Sequence, residues 1–161
     1  MPICASARIV CLLCLNLAPA AVHGSTRFLF EPNRGQTASE IRYLARTGKG
    51  AVFVTDDGVT MSGANQTAVV IKLSGMDSPG KWTPQDETGE TVSYYIGRDR
   101  SRWVIDAPRF ERLLRPHVYA GIDLVLYGAG EQLEYDFALA PHADPARIRL
   151  KLEGARRVAI A

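Results

Sequence analysis

The segment YAGIDLVLYGAGEQLEYDFAL, residues 119–139, limits the folds open to this chain more than any other stretch. Apolar residues occupy every second position on each side of a break, Gly128-Ala129-Gly130-Glu131. A period of two is typical of half-buried strands, and two such runs around a glycine-bearing break predict a β-hairpin. The residues predicted to share its buried face are Ile122, Leu124, Leu126, Leu133, Tyr135, Phe137 and Leu139.

The same alternation predicts how the two strands pair. If Tyr127 lies opposite Gln132, then 126 faces 133, 124 faces 135 and 122 faces 137, so every pair on one face is apolar. A slip of one residue would turn one strand's apolar set toward solvent, which disfavours that alternative.

The rest of the chain also predicts strands rather than helices. Phe28 to Gln36 reads as an ordered N-terminal arm, and the polar stretch 74–88 as a loop that is mobile unless Trp82 anchors it. Nowhere do twelve residues hold a helical period, so we predict an all-β, antiparallel β-sandwich-like domain. It should be incomplete at its C-terminal end, because the chain stops at Ala161 with no polar tail to finish the last predicted strand. The other predicted strands are 41–46, 51–55, 59–62, 69–73, 91–96, 110–114, 148–152 and 158–160.

Residues 1–24 form a different segment, which we interpret as a signal peptide. Arg8 is its only charge, an apolar run follows, and small residues near residue 20 would suit a signal peptidase. The apolar run is shorter than the roughly 20 residues that span a bilayer, so the mature chain, residues 25–161, should be secreted or held at the cell surface without a membrane span. All cysteines, Cys4, Cys11 and Cys14, lie in this segment, so the mature domain should lack disulfides.

The charge balance narrows the range of partners. The chain of 161 residues carries 19 basic and 17 acidic side chains, and removal of Arg8 with the signal peptide leaves a net charge of +1. So small an excess does not predict electrostatic capture of nucleic acid.

Five motifs taken in order resemble a known domain. FEPNRGQ (30–36), YYIGRD (94–99), YAGIDLVLYG (119–128), LEYDF (133–137) and PHADPARIRL (141–150) are similar to the N-terminal domain, of uncharacterised function, that precedes SBBP-type β-propeller repeats in large secreted bacterial proteins. Arg34 stands where that family usually has glutamine, and His142 where it usually has glycine. The resemblance implies a truncated copy that lacks later repeats, and it supplies no catalytic residues.

The predicted hairpin register suggests one metal site. It places Asp123 opposite Asp136, with Glu134 on the same face, and like charges so placed repel one another. The three carboxylates could hold a weakly bound Ca²⁺ ion, which would be the only cofactor that the sequence suggests. In the alternative, Arg112 or Arg115 on a neighbouring strand neutralises them, or the face is simply solvated. Paired carboxylates also occur in glycosidases, although most β-proteins contain such a pair.

Other side chains give weaker signals. His117 and His142 each stand beside a proline and lack a nucleophile motif or ligand spacing, so we interpret them as surface residues. The segment from Arg98 to Trp103 could bind an anionic polymer or glycan, or it could be a solvated turn with a core tryptophan.

No catalytic motif emerges, so we expect a non-enzymatic structural or interaction module, whose partners would be further domains of a longer protein or surface glycans. One alternative is a glycan-binding or carbohydrate-active domain that uses the acidic face of the hairpin. Another is a truncated gene product without a function of its own.

Overall fold

The computed structural model describes residues 27–48, 50–63, 68–77 and 80–155, together with the backbone of residues 8–10. The predicted signal segment, apart from residues 8–10, and the predicted strand 158–160 lie outside the described residues.

The described residues form β-strands joined by turns and two short 3-10 helices, which confirms the all-β prediction. The 3-10 helices span Arg100–Arg102 and Pro145–Arg147. The strands are β1 (Arg8–Val10), β2 (Glu31–Pro32), β3 (Tyr43–Thr47), β4 (Gly50–Val54), β5 (Gly58–Gly63), β6 (Ala68–Leu73), β7 (Thr83–Tyr94), β8 (Val104–Tyr119), β9 (Ile122–Ala129), β10 (Gln132–Leu139) and β11 (Leu150–Glu153).

These strands make two antiparallel sheets. One has the order β1-β10-β9-β8-β7, and the other has the order β11-β6-β5-β4-β3-β2. Their inner faces share one apolar core, to which β4 contributes Val52 and Val54 and β9 contributes Leu124 and Leu126. Burial of this surface on folding is the main source of stability in such a domain.

The N-terminal arm, residues 27–32, connects the two sheets. Phe28, Leu29 and Phe30 are buried, as the prediction of an ordered arm requires. Phe30 exchanges two backbone hydrogen bonds with Phe110 of β8, at 2.8 and 2.9 Å. The next residue, Glu31, pairs with Leu44 of β3 in the other sheet. Consecutive residues of the arm are therefore bonded to different sheets.

The central hairpin is present, but its predicted register is wrong by two residues. Ala129 pairs with Gln132, Leu126 with Tyr135, and Leu124 with Phe137. The strands continue two residues further into the break and leave a two-residue turn, in which Gly130 has a φ of 61° that glycine adopts readily. Within the extended strand, Gly128 leaves room for Phe28, whose Cβ lies 2.2 Å from where a Gly128 Cβ would stand. A shift of two residues preserves the face on which each side chain lies, so the predicted buried set keeps its common face.

Strands β7 and β8 are longer than predicted. The predicted loop 74–88 is wrong from Thr83 onward, where β7 begins. Trp82 anchors its start, because the indole is buried and Nε1–H donates to the Thr55 carbonyl at 2.8 Å. The predicted strand ends at residue 114, but β8 continues past Pro116 through a register irregularity between Arg115 and Tyr119. Proline is tolerated at such irregularities because no ladder hydrogen bond is required of it.

Among the described residues, no helix has the length and apolar character needed to cross a membrane.

Candidate functional site

The acidic face of the hairpin does not have the predicted arrangement. In the observed register Asp123 lies opposite Ala138, Glu134 opposite Tyr127, and Asp136 opposite Val125. The predicted opposition of Asp123 and Asp136 is therefore wrong. Within the described ranges, no three His, Cys, Asp or Glu side chains come together as a group that could hold a metal ion. The geometric reason for expecting Ca²⁺ at Asp123, Glu134 and Asp136 is thereby removed.

Each of these carboxylates has a partner within the domain, and that of Glu134 is the Tyr127 hydroxyl. Asp123 accepts a hydrogen bond from the backbone N–H of His117 at 2.7 Å and supports that residue in a left-handed conformation with φ of 54°. Asp136 accepts a hydrogen bond from the Tyr127 hydroxyl at 3.3 Å. Burial, followed by the charge of Asp136, raises the pKa of Tyr127 to about 12. Asp123 and Asp136 thus stabilise local structure.

Arg112 and Arg115, the arginines considered as neutralising partners of this acidic face, have their main contacts elsewhere. Arg112 pairs with Asp86 at 3.4 Å on the β7 side and lies over the ring of Tyr127 at 5.8 Å. Arg115 is fully buried. The solvated alternative is the one that agrees with the partial exposure of Asp123, Glu134 and Asp136.

A polar cluster around one buried carboxylate, which the sequence reasoning missed, lies where the N-terminal arm meets β7. This Glu31 cluster consists of Glu31, Arg46, Tyr94 and Arg109. The Glu31 carboxylate is only 1% exposed and accepts a hydrogen bond from the Tyr94 hydroxyl. Arg109 lies 3.4 Å from the same carboxylate, and Arg46 Nε–H donates to the Tyr94 oxygen at 3.2 Å. The sequence signal that could have revealed the cluster is Glu31 itself, a charged residue directly after the apolar triplet 28–30.

The chemistry of the Glu31 cluster follows from its enclosure. A buried carboxylate requires a cation and hydrogen-bond donors, which Arg109 and Tyr94 supply. Burial, followed by the bond to Glu31, raises the pKa of Tyr94, so the phenol remains a donor at neutral pH. Because Glu31 is almost fully enclosed, the cluster is suited to hold the arm against β7 and not to bind a ligand.

An exposed group of cations and rings lies at the turn between β7 and β8. This arginine–aromatic patch consists of Tyr95, Arg98, Arg100, Arg102 and Trp103. Tyr95 is 68% exposed and packs edge-to-face on Trp103, with ring centroids 5.1 Å apart. The guanidinium of Arg100 lies 5.3 Å from the Trp103 ring centroid. The expectation of a core tryptophan is wrong, because Trp103 is only partly buried.

The turn itself fixes the patch. Asp99 caps the 3-10 helix Arg100–Arg102 by accepting from the backbone N–H of Ser101 at 3.0 Å and from its hydroxyl at 2.7 Å. These bonds lower the pKa of Asp99. Trp103 Nε1–H donates to the carbonyl of Gly97 at 3.2 Å, so the indole is held against the turn.

A small apolar cavity of about 20 Å³ lies between the two sheets. Its walls include Leu126 and Tyr135 from one sheet and Ile71 and Leu150 from the other. Aliphatic side chains and aromatic rings line it, and no polar atom of the described residues faces it. His117 and His142 are exposed, which confirms their interpretation as surface residues.

Comparison with known proteins places the chain in a family without assigning it an activity. Neither the curated proteins nor the solved structures gave a match. One family's sequence profile matches residues 30–161, which include the Glu31 cluster, the arginine–aromatic patch and the central hairpin. The chain belongs to this family, described as Domain of unknown function (DUF7948).

Proposed function

We propose that this domain is a non-enzymatic structural and interaction module of an exported bacterial protein. The observation that carries the proposal is the arginine–aromatic patch, in which Tyr95 is 68% exposed on a hydrogen-bonded turn. Exposed aromatic and arginine side chains are typical of surfaces that bind partners.

The polar groups argue against catalysis. Asp123 and Asp99 accept hydrogen bonds from nearby backbone N–H groups, and Glu31 is enclosed with Tyr94. A general acid or base needs access to a substrate atom within hydrogen-bond reach, and these groups are occupied with the protein's own backbone or hydroxyls.

The glycan-binding alternative at the acidic face of the hairpin loses its geometric support. That alternative required grouped carboxylates, and the observed register separates Asp123 from Asp136. The arginine–aromatic patch, which is cationic and not acidic, is therefore the better candidate for an interaction surface.

Export rests on the sequence of residues 1–24 and on the resemblance to secreted bacterial proteins. The experiment expresses the full chain with a C-terminal tag in a bacterial host and measures the tagged protein in cytoplasmic, envelope and medium fractions. We expect a shortened product outside the cytoplasm, whereas a full-length cytoplasmic product would contradict export.

The absence of turnover needs its own test. Purified protein is incubated with chromogenic glycosides, esters, phosphates and peptides, and product release is compared with that of Glu31→Gln and Asp136→Asn proteins. We expect background rates in all three samples. Turnover by the unmodified chain that either substitution abolishes, with the fold retained by circular dichroism, would overturn the proposal.

A further inference from the structure

The arginine–aromatic patch contains cations that the domain leaves unpaired. Arg98, Arg100 and Arg102 are exposed, and the described part of the chain places no carboxylate within salt-bridge distance of any of them. Five other arginines have a carboxylate beside them, namely Arg27, Arg42, Arg109, Arg112 and Arg147. Arg34 and Arg149 are also exposed without an ion pair among the described residues, but each stands apart from the patch segment, where three such arginines fall within five residues.

The one acidic residue within the patch segment does not cancel these charges. Asp99 directs its Oδ1 atom to the backbone and hydroxyl of Ser101. The segment 98–103 carries three positive charges and one negative charge, which leaves an excess of two. Guanidinium groups in this state favour carboxylate or sulfate oxygens, which they bind through paired N–H donors.

Apolar surface accompanies the charge. Tyr95 and Ile105 are the large hydrophobic side chains that the described residues leave exposed, at 68% and 48%, and both flank this turn. The edge-to-face contact with Trp103 holds the Tyr95 ring in place while its outer surface faces solvent. A fixed aromatic surface can pack against the C–H face of a sugar ring at low entropic cost.

Nucleic acid is the competing anionic polymer, and the charge distribution disfavours it. Single-stranded nucleic acid needs an extended basic groove along its phosphate backbone. This chain has a net charge of +2, and its paired arginines contribute little free positive field. A short cationic patch beside one exposed ring is better matched to spaced carboxylates on sugars.

We infer that this patch binds an acidic polysaccharide, with uronate carboxylates on Arg98, Arg100 and Arg102 and a sugar face on Tyr95. The inference rests on the proposed interaction module and names its partner class.

The test measures binding of the tagged full chain to polygalacturonate by biolayer interferometry, with dextran as the neutral polymer. Two variants alter the patch: Tyr95→Ala, and the double substitution Arg98→Gln with Arg102→Gln. The control substitutes Arg34→Gln and Arg149→Gln, two exposed arginines elsewhere, and so removes the same charge. Melting temperatures of all proteins check that the fold is retained.

We expect binding to polygalacturonate and not to dextran. Each patch variant should weaken it about tenfold or more, the scale of one lost charge-assisted or stacking contact, and the control should change it less than about twofold. No binding to polygalacturonate, equal losses in patch and control variants, or tighter binding of a single-stranded oligonucleotide would each overturn the inference. If the chain does not bind polygalacturonate but is exported and shows no enzymatic turnover, only this inference is wrong and the proposed interaction module still holds. Enzymatic turnover would instead contradict the proposed function itself.

Discussion

The guanidinium of Arg115 lies over the indole ring of Trp82, with Cζ 5.3 Å from the ring centroid. Arg115 is fully buried, and its Nε–H donates to the carbonyl of Gly80 at 3.0 Å. Its two terminal nitrogens have no hydrogen-bond partner within the described structure. Burial lowers the pKa of Arg115, and the charges of Asp56 and Asp57 only partly oppose this effect. Strand β8 thus places a desolvated cation between the sheets.

Replacing this cation should not destabilise the domain. Arg115→Met keeps most of the side-chain volume and removes the cost of two buried NH2 groups without partners, so we expect the free energy of unfolding to be unchanged or raised by about 1 to 4 kcal/mol. Arg115→Ala should lower it by about 2 to 5 kcal/mol because it leaves a cavity. Urea denaturation measures both, with the exposed Arg112→Met as control. A loss of stability in Arg115→Met as large as that in Arg115→Ala would contradict this account.

The Glu31 cluster should couple the arm to β7 energetically. Glu31→Ala leaves Arg109 and Tyr94 without their buried partner and should cost about 3 kcal/mol or more. Tyr94→Phe removes one donor and should cost about 1 to 2 kcal/mol. In a double-mutant cycle measured by urea denaturation, the two costs should be non-additive by about 1 kcal/mol or more. Additive costs, or an equal effect from the exposed Glu40→Ala, would rule out this coupling.

We expect Asp123 to contribute to the stability of the fold through its hydrogen bond and not by binding a metal ion. Asp123→Ala removes the acceptor for the His117 N–H, and we expect a loss of about 1 kcal/mol. Adding Ca²⁺ to a chelated sample should leave the melting temperature of the unmodified protein unchanged. A rise in melting temperature that Asp136→Asn or Glu134→Gln abolishes would instead restore the predicted calcium site.

Tyr127 should make the domain sensitive to alkaline pH. Its pKa is raised from 10.0 to about 12, so the folded state holds the phenolic proton more tightly than the unfolded state does. Its contribution to stability is fully present below pH 10 and is lost as the pH rises toward 12. The fall in unfolding free energy over this range should be shallower in Tyr127→Phe. Tyr95→Phe, which removes an exposed phenol, serves as control, and identical pH profiles for the unmodified and Tyr127→Phe proteins would contradict the assignment.

Side-chain periodicity could predict the fold and the inner face of each hairpin strand. It could not distinguish pairing of Tyr127 with Gln132 from pairing of Ala129 with Gln132, because a two-residue shift keeps the same faces. The observed register also places Gly128 against Phe28, which is 100 positions away in the sequence. The strand propensities of local segments do not predict a contact between residues so far apart in the sequence.

The two sites differ in how far the sequence could reveal them. The arginine–aromatic patch is formed by one continuous segment, so the sequence identified the part from Arg98 to Trp103. It missed the exposure of Trp103 and the contribution of Tyr95, which it placed in a strand. The Glu31 cluster brings together positions 31, 46, 94 and 109, and only the folded chain shows that they meet. Local segments can be interpreted from composition, whereas clusters of distant residues require the register of several strands.

The arm bonded to both sheets has a mechanical consequence. Phe30 is hydrogen-bonded to Phe110, and Glu31 is paired with Leu44, so a pull on the chain ahead of Phe28 divides between the two layers at once. Extension would have to shear both contacts together before either layer could unravel. If the domain is tethered at that end, tension reaches the core through residues 28–31, all of which are buried.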